Sequence, residues 1–323
     1  MVNAIYSILN EMSEILNMQQ LQRLQETLVE YLAEGKGQRE YPMENTEYLD
    51  MFIAAKRIEG CSERTLSYYK VTIENMFKEI TTSVMQITTE MLREYLAKYQ
   101  ARGKCGKVTI DNIRRNLSSF FSWLEDEDYI IKSPVRRIHK VRTGTTVKET
   151  FSDETIEILR DGCEEIRDLA IIDLLYSTGI RVGELVNLNK KDINFEERQC
   201  IVYGKGNKER QVYFDARTKL HLMDYLSKRL DSNPALFVTL DRPYERLKIS
   251  GVEIRLRELG RRLEIERVHP HKFRRSMATK AIDKGMPIEQ VQRLLGHQQI
   301  DTTMRYAMVS QNNVKISHRK FIA

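Results

Sequence analysis

The chain has 323 residues, 41% hydrophobic and 30% charged; at ~150 residues per domain that length predicts two domains and excludes a single small module. No apolar run approaches the ~20 residues that span a bilayer, and the scattered Cys61, Cys105, Cys163 and Cys200 fit reduced structural thiols better than a disulfide framework or a zinc site. The net charge of +6 is uneven: residues 151–323 hold 31 Lys and Arg against 25 Asp and Glu, 101–150 hold 11 against 6, and the first hundred are net acidic; this makes a polyanion the leading partner class, although solvated helix faces of a slightly basic protein account for the charge equally well.

The N-terminus MVNAIYSILNEMSEILN lacks a basic n-region and carries two Glu, so it does not read as a signal peptide, and a cytoplasmic location is expected. Apolar residues at Ile5, Ile8, Met12, Ile15, Leu21, Leu24, Leu28 and Tyr31 recur every 3.5 to 3.6 positions. They predict an amphipathic helix in 1–40, ending near Gly35 and Gly37, with a break near Met18, docked on another helix of the same protein. Residues 41–138 read as a helical bundle with segments near 45–59, 62–79, 88–100 and 107–126, N-capped at Ser62 and Thr89. Lys104, Lys107, Arg114 and Arg115 give its later helices a basic side. A basic, turn-rich stretch from Ser133 through Arg136, Arg137, His139, Lys140 and Arg142 to Thr146 reads as a linker, with the domain boundary in 139–150.

The second domain, 151–308, opens with a helix capped at Ser152 and continues with an apolar helix from Arg167 to Thr178. In QCIVYGKGNKERQVYF two alternating runs flank a glycine-bearing turn, predicting a hairpin with Lys205 at its tip. Ala235–Thr239 reads as one more short strand, and helices follow up to a tail at 309–323. The fold class is therefore mainly α with a small antiparallel β-sheet, in two domains.

Four segments carry residue types that suit phosphoryl chemistry. YSTGIRVGELVNL puts Arg181 at a helix start with Glu184 one turn on, where a carboxylate-held guanidinium can fork onto phosphate oxygens, although an ordinary intrahelical ion pair also accounts for it. GKGNKER sets Lys205 between glycines as a mobile cation that can protonate a leaving oxygen; the plain alternative is a solvated hairpin. In HPHKFRRSMATKAI, His271 and Arg274 stand one helical turn apart and can face one anion, while His269 reads as structural. LLGHQQIDTTMRY holds a Gly296 C-cap, then His297, a helix capped by Asp301, and Tyr306, which taken alone is a core tyrosine. Taken together the segments change that reading. A phenol with a pKa near ~10 is a poor nucleophile, but surrounding guanidiniums and an ammonium would stabilise both the phenolate and the extra charge of a pentavalent transition state, without metal.

In these four segments, by order and spacing, the chain resembles the tyrosine recombinases, the phage-integrase and Xer-like site-specific DNA recombinases. The resemblance implies that Arg181, Lys205, His271, Arg274 and His297 bind and activate the scissile phosphate, that Glu184 supports the first Arg, and that Tyr306 is the nucleophile forming a 3′-phosphotyrosine. More weakly, it implies that 41–138 is a SAM-like core-binding domain beside an α+β catalytic domain. Arg275 stands where many members have His, and Met277 where they have Phe. The resemblance also implies double-stranded DNA as the partner, in a synaptic tetramer whose tail, 309–323, docks on a neighbouring subunit; a frayed end is the plain alternative for that tail. Lys104, Lys107, Arg114, Arg115, Lys140, Arg142, Lys208 and Arg275 are candidate DNA contacts. No cofactor is expected, because the sequence has neither a P-loop nor carboxylates at metal-binding spacing. A type IB topoisomerase and a non-catalytic DNA-binding protein are the competing readings.

Overall fold

The computed structural model describes residues 2–33, 43–103, 105–142, 149–204 and 209–307. The chain divides into two compact units, Met1–Thr145 and Thr146–Ala323. Among the described residues no helix is long and apolar enough to cross a membrane.

The first unit begins with two helices where the periodicity predicts one: α1 (Val2–Met12) and α2 (Met18–Ala33), packed on each other. The break is a hydrogen-bonding choice. The Asn17 amide donates to Gln20 Oε1 and the Gln20 amide to Asn17 Oδ1, both at 3.0 Å, a reciprocal cap that starts a new helix. The apolar spacing runs through this turn, which is why it reads as one element. Next come α3 (Asn45–Ile58), α4 (Glu63–Glu79), α5 (Thr89–Ala101) and α6 (Lys107–Asp126). Helix α6 buries Ile110, Ile113, Leu117, Phe120, Phe121 and Leu124 on one stripe, and Phe52 of α3 meets Phe120 edge to face at 5.3 Å. Ser62 caps α4 as expected. The cap of α5 is Thr88, one residue before the expected Thr89, whose hydroxyl donates instead to the Pro134 carbonyl at 2.7 Å.

That last bond belongs to a larger correction, since much of the expected linker is folded. The Ser133 amide donates to Glu125 (3.0 Å), a 3₁₀ turn at Pro134–Arg137 buries Val135, and the Val141 amide donates to Asp111 (3.1 Å). Carboxylates on α6 thus hold the chain down as far as residue 141.

In the second unit α7 (Asp153–Asp161) is capped by Ser152 and followed by α8 (Ile166–Thr178), buried on nearly every side and hence central to the core. Helix α9 (Val182–Asn187) leads into a three-stranded antiparallel sheet, ordered β1 (Ile193–Asn194), β2 (Gln199–Tyr203), β3 (Glu209–Tyr213). In the β2–β3 register Gln199 opposes Tyr213, and Tyr203 opposes Glu209. The segment Ala235–Thr239 does not join the sheet; it makes only isolated bridges to Asn189 and Arg246. Its acceptors are already taken, because the Arg229 guanidinium donates to the carbonyls of Ala235 (2.6 Å) and Leu236 (3.0 Å). The remaining helices are α10 (Ala216–Ser227), α11 (Ile249–Arg262), α12 (Pro270–Asp283), α13 (Ile288–Leu295) and α14 (Ile300–Ala307). Asp301 lies inside the first turn of α14, where its charge meets the positive helix end, rather than at the cap position.

Candidate active site

Arg181 stands at the N-cap of α9, where α8 has ended on Gly179 at φ +63° and the chain must turn. Glu184, one turn later, takes the Arg181 backbone N–H at 2.7 Å and its Nη1 at 2.9 Å. A second guanidinium approaches the same carboxylate: Arg210 of β3 donates from Nη1 and Nη2 to the two oxygens, each at 2.6 Å. Burial works against the Glu184 charge, but the bonds from Arg210 and Arg181 outweigh it and hold the pKa below the ordinary carboxylate value.

Arg274, on α12, is 3% exposed. It donates from Nη1 to the Gly179 carbonyl and from Nη2 to the Leu295 carbonyl, both at 2.6 Å, and Nη2 also meets His297 Nε2 at 3.0 Å. Burial, then the charges of Arg181 and Arg210, lower its pKa, yet a guanidinium stays protonated. A guanidinium can only donate, so His297 Nε2 is the acceptor and the ring proton sits on Nδ1, 2.9 Å from Thr303 Oγ1. Burial, then Arg274, Arg181 and Arg210, push the His297 pKa down to about 4, leaving a neutral imidazole near pH 7. Gly296, at φ +65°, ends α13 and swings His297 into this position.

The Tyr306 ring stacks on His297 with centroids 6.0 Å apart and planes at 26°. It rests on Met277, Ala278, Val291 and Leu295, close enough to Arg274 and Arg275 to interact with their charges. An open cleft of about 510 Å³ is lined by Arg181, Arg210, His297, Gln298 and Thr302 and bordered by Gly204 and Glu209, the described ends of the β2–β3 hairpin.

The structure therefore gathers Arg181, Glu184, Arg274, His297 and Tyr306. His271 stands exposed in the first turn of α12; partial loss of water, then Arg274, Arg275 and Arg181, lower its pKa. Arg274 turns inward instead of sharing an outward face with it. Lys205, Lys208 and Lys104 lie outside the described residues. Arg275 donates to the Glu149 carbonyl at 3.1 Å, and its Nε is buried without a hydrogen-bond partner among the described residues. In the first unit Lys107, Lys140 and Arg142 are exposed, whereas Arg114 and Arg115 bind Asp111, each at 3.0 Å. The reading of the segments missed Arg210. Its signal was the strand period: Val212 points inward on β3, so Arg210 does too, and an arginine on the buried side of a strand needs an anion.

Residues 148–313 match the model of the phage integrase family, and 48–131 match the phage integrase N-terminal SAM-like domain. A tyrosine recombinase XerC of Leptospira interrogans (serovar copenhageni) is 32% identical over 282 residues, 83% of this chain and 91% of that protein. One of Staphylococcus aureus (strain N315) is 30% identical, covering 82% and 93%. Among solved structures, the Tn1549 transposon integrase in complex with a circular intermediate DNA superposes with a TM-score of 0.72 at 17% identity, over 85% of this chain and 99% of that one. A lambda integrase dimer bound to a COC′ core site gives 0.69 at 17% identity, over 88% and 85%. These two share the fold.

Proposed function

The chain belongs to the phage integrase family of tyrosine recombinases, and from that premise we propose how its own residues perform site-specific DNA recombination. Tyr306 Oη attacks the scissile phosphorus while Arg181 and Arg274 hold the two non-bridging oxygens. The P–O5′ bond breaks, Lys205 protonates the departing 5′ oxygen, and Tyr306 remains ester-linked to the 3′ phosphate. The phenol proton passes to His271 or His297, whose lowered pKa values leave both neutral near pH 7. A 5′-hydroxyl from a partner strand then attacks the phosphotyrosine, expels Tyr306 and restores a phosphodiester, so no bond energy is drawn from ATP. Because Nε2 accepts from Arg274, His297 can take the phenol proton there, and then donate it to phosphate, only once Arg274 releases that nitrogen.

Residues 41–138 serve as the core-binding domain and 151–308 as the catalytic domain. Double-stranded DNA is held through phosphate contacts from Lys104, Lys107, Lys140, Arg142, Lys208 and Arg275, with Arg114 and Arg115 contributing where Asp111 leaves their donors free. Four copies form the synapse, the 309–323 tail docks on a neighbour, and the reaction belongs to the cytoplasm.

The observation that carries this reading is the stack of Tyr306 on His297 with Arg274 bonded to the same ring, nucleophile and cation within one chain. Its test is capture of covalent adducts from a pool of random duplexes under denaturing conditions, followed by sequencing of the attached DNA. One recurrent sequence ester-linked to Tyr306 is expected, and Tyr306→Phe should bind that sequence without forming an adduct. Adducts at unrelated sequences with relaxation of supercoiled DNA would favour a topoisomerase, and binding without adduct a non-catalytic protein.

A further inference from the structure

We propose that Arg210 is a positioning residue for strand cleavage: it offsets the Glu184 carboxylate, so that Arg181 meets the scissile phosphate with its charge uncompensated, and it ties the Lys205-bearing hairpin to the loop that carries His297. The proposal rests on the reading of the cleft given above. Glu184 and Arg181 alone form a neutral pair, whose guanidinium a phosphate would have to share with a carboxylate. A second guanidinium on the same carboxylate leaves the trio at +1. The surplus is not placed at random: the Arg181 side chain is 37% exposed and that of Arg210 11%. The buried arginine neutralises, and the exposed one is left to face the cleft that both line.

Geometry makes the same residue a joint. Arg210 lies five positions beyond Lys205, on the strand that leaves the hairpin. Besides its two-pronged bond to Glu184 of α9, its Nε donates to the Leu294 carbonyl at the end of α13, 3.0 Å away. Gly296, two residues later, accepts from Arg181 Nη2 at 3.4 Å. A Cβ at Gly296 would stand 2.9 Å from Arg210 Cδ and 3.2 Å from Nη1, so the guanidinium reaches Glu184 through space that a glycine leaves open. Arg210 thus bonds the elements that lead to Arg181 and to His297, α9 and the end of α13. A lysine keeps the charge but has neither the fork nor the Nε–H.

The test uses the full chain and a nicked duplex bearing the captured sequence, with single-turnover adduct formation and DNA affinity measured separately. Arg210→Lys and Arg210→Ala should each slow adduct formation at least tenfold while DNA affinity stays within threefold of the parent. On the same duplex with a methylphosphonate at the scissile position, where one non-bridging oxygen carries no charge, the parent-to-variant rate ratio should shrink at least threefold, because less charge awaits Arg181. A purely structural ion pair would lose the same factor on both substrates. Rates within threefold of the parent, an unchanged ratio, or unfolding of both variants would overturn the proposal. A parent chain that forms no adduct at all overturns the functional reading beneath it, and this inference with it.

Discussion

Asp111 and Glu184 are each 5% exposed, and each holds two guanidiniums. Asp111 draws both from its own helix, Arg114 and Arg115 at i+3 and i+4, and spends its remaining capacity on the Val141 amide. Glu184 draws one from the preceding turn and one from a strand 26 residues away. The difference lies in where the cations come from. Partners on one helix fasten a passing stretch of chain, and the Arg115 side chain, 59% exposed, adds little because water and salt screen it. Partners from separate elements weld those elements together and leave a charge aimed at a cleft.

Replacing the two carboxylates is the strongest way to break this contrast. Glu184→Ala strips two guanidiniums of their counter-charge and should cost about 3–5 kcal/mol in denaturant unfolding and roughly 10²–10³ in single-turnover adduct formation. Asp111→Ala should cost about 1–3 kcal/mol and leave that rate within threefold; equal rate losses at both sites would erase the distinction. Gly296→Ala should cost about 1–2 kcal/mol for a left-handed backbone and slow cleavage as Arg210 is displaced, with DNA affinity retained. The histidine of the second region gives a pH signature. Its folded pKa is about 4 against ~6.5 in the unfolded chain, so on acidification the unfolded state takes the proton first. Stability present above about pH 6.5 should be lost as pH falls toward 4. Urea midpoints across that window should fall less steeply for His297→Gln. The smallest effect is expected at Arg115→Ala, within about 0.5 kcal/mol; if Arg115 contacts phosphate, the slope of log binding constant against log salt weakens by about 0.9.

What could be read from the chain follows the range of the interactions. Helices α3 to α6 were legible because each carries its own stripe and, at Ser62, its own cap; the β2–β3 hairpin was legible because alternation and a glycine turn are local. The split between α1 and α2 was obscured because apolar spacing continues across the Asn17–Gln20 cap. Residues 133–141 looked like a linker by composition, and only the distant Glu125 and Asp111 carboxylates show them to be folded. In the site, the pairing of Arg181 with Glu184 could be foreseen at helical spacing. The strand period turns Arg210 inward, but its partner Glu184, like the backbone carbonyls that receive Arg274, comes from an element far away in sequence, where neither period nor spacing predicts the meeting.

Arg274 is secured by the carbonyls of Gly179 and Leu295, at the negative ends of α8 and α13. Those acceptors belong to the main chain and persist whatever side chains replace their neighbours. Residues that touch base edges could therefore diverge from one lineage to the next, retuning the DNA target, without unseating the cation.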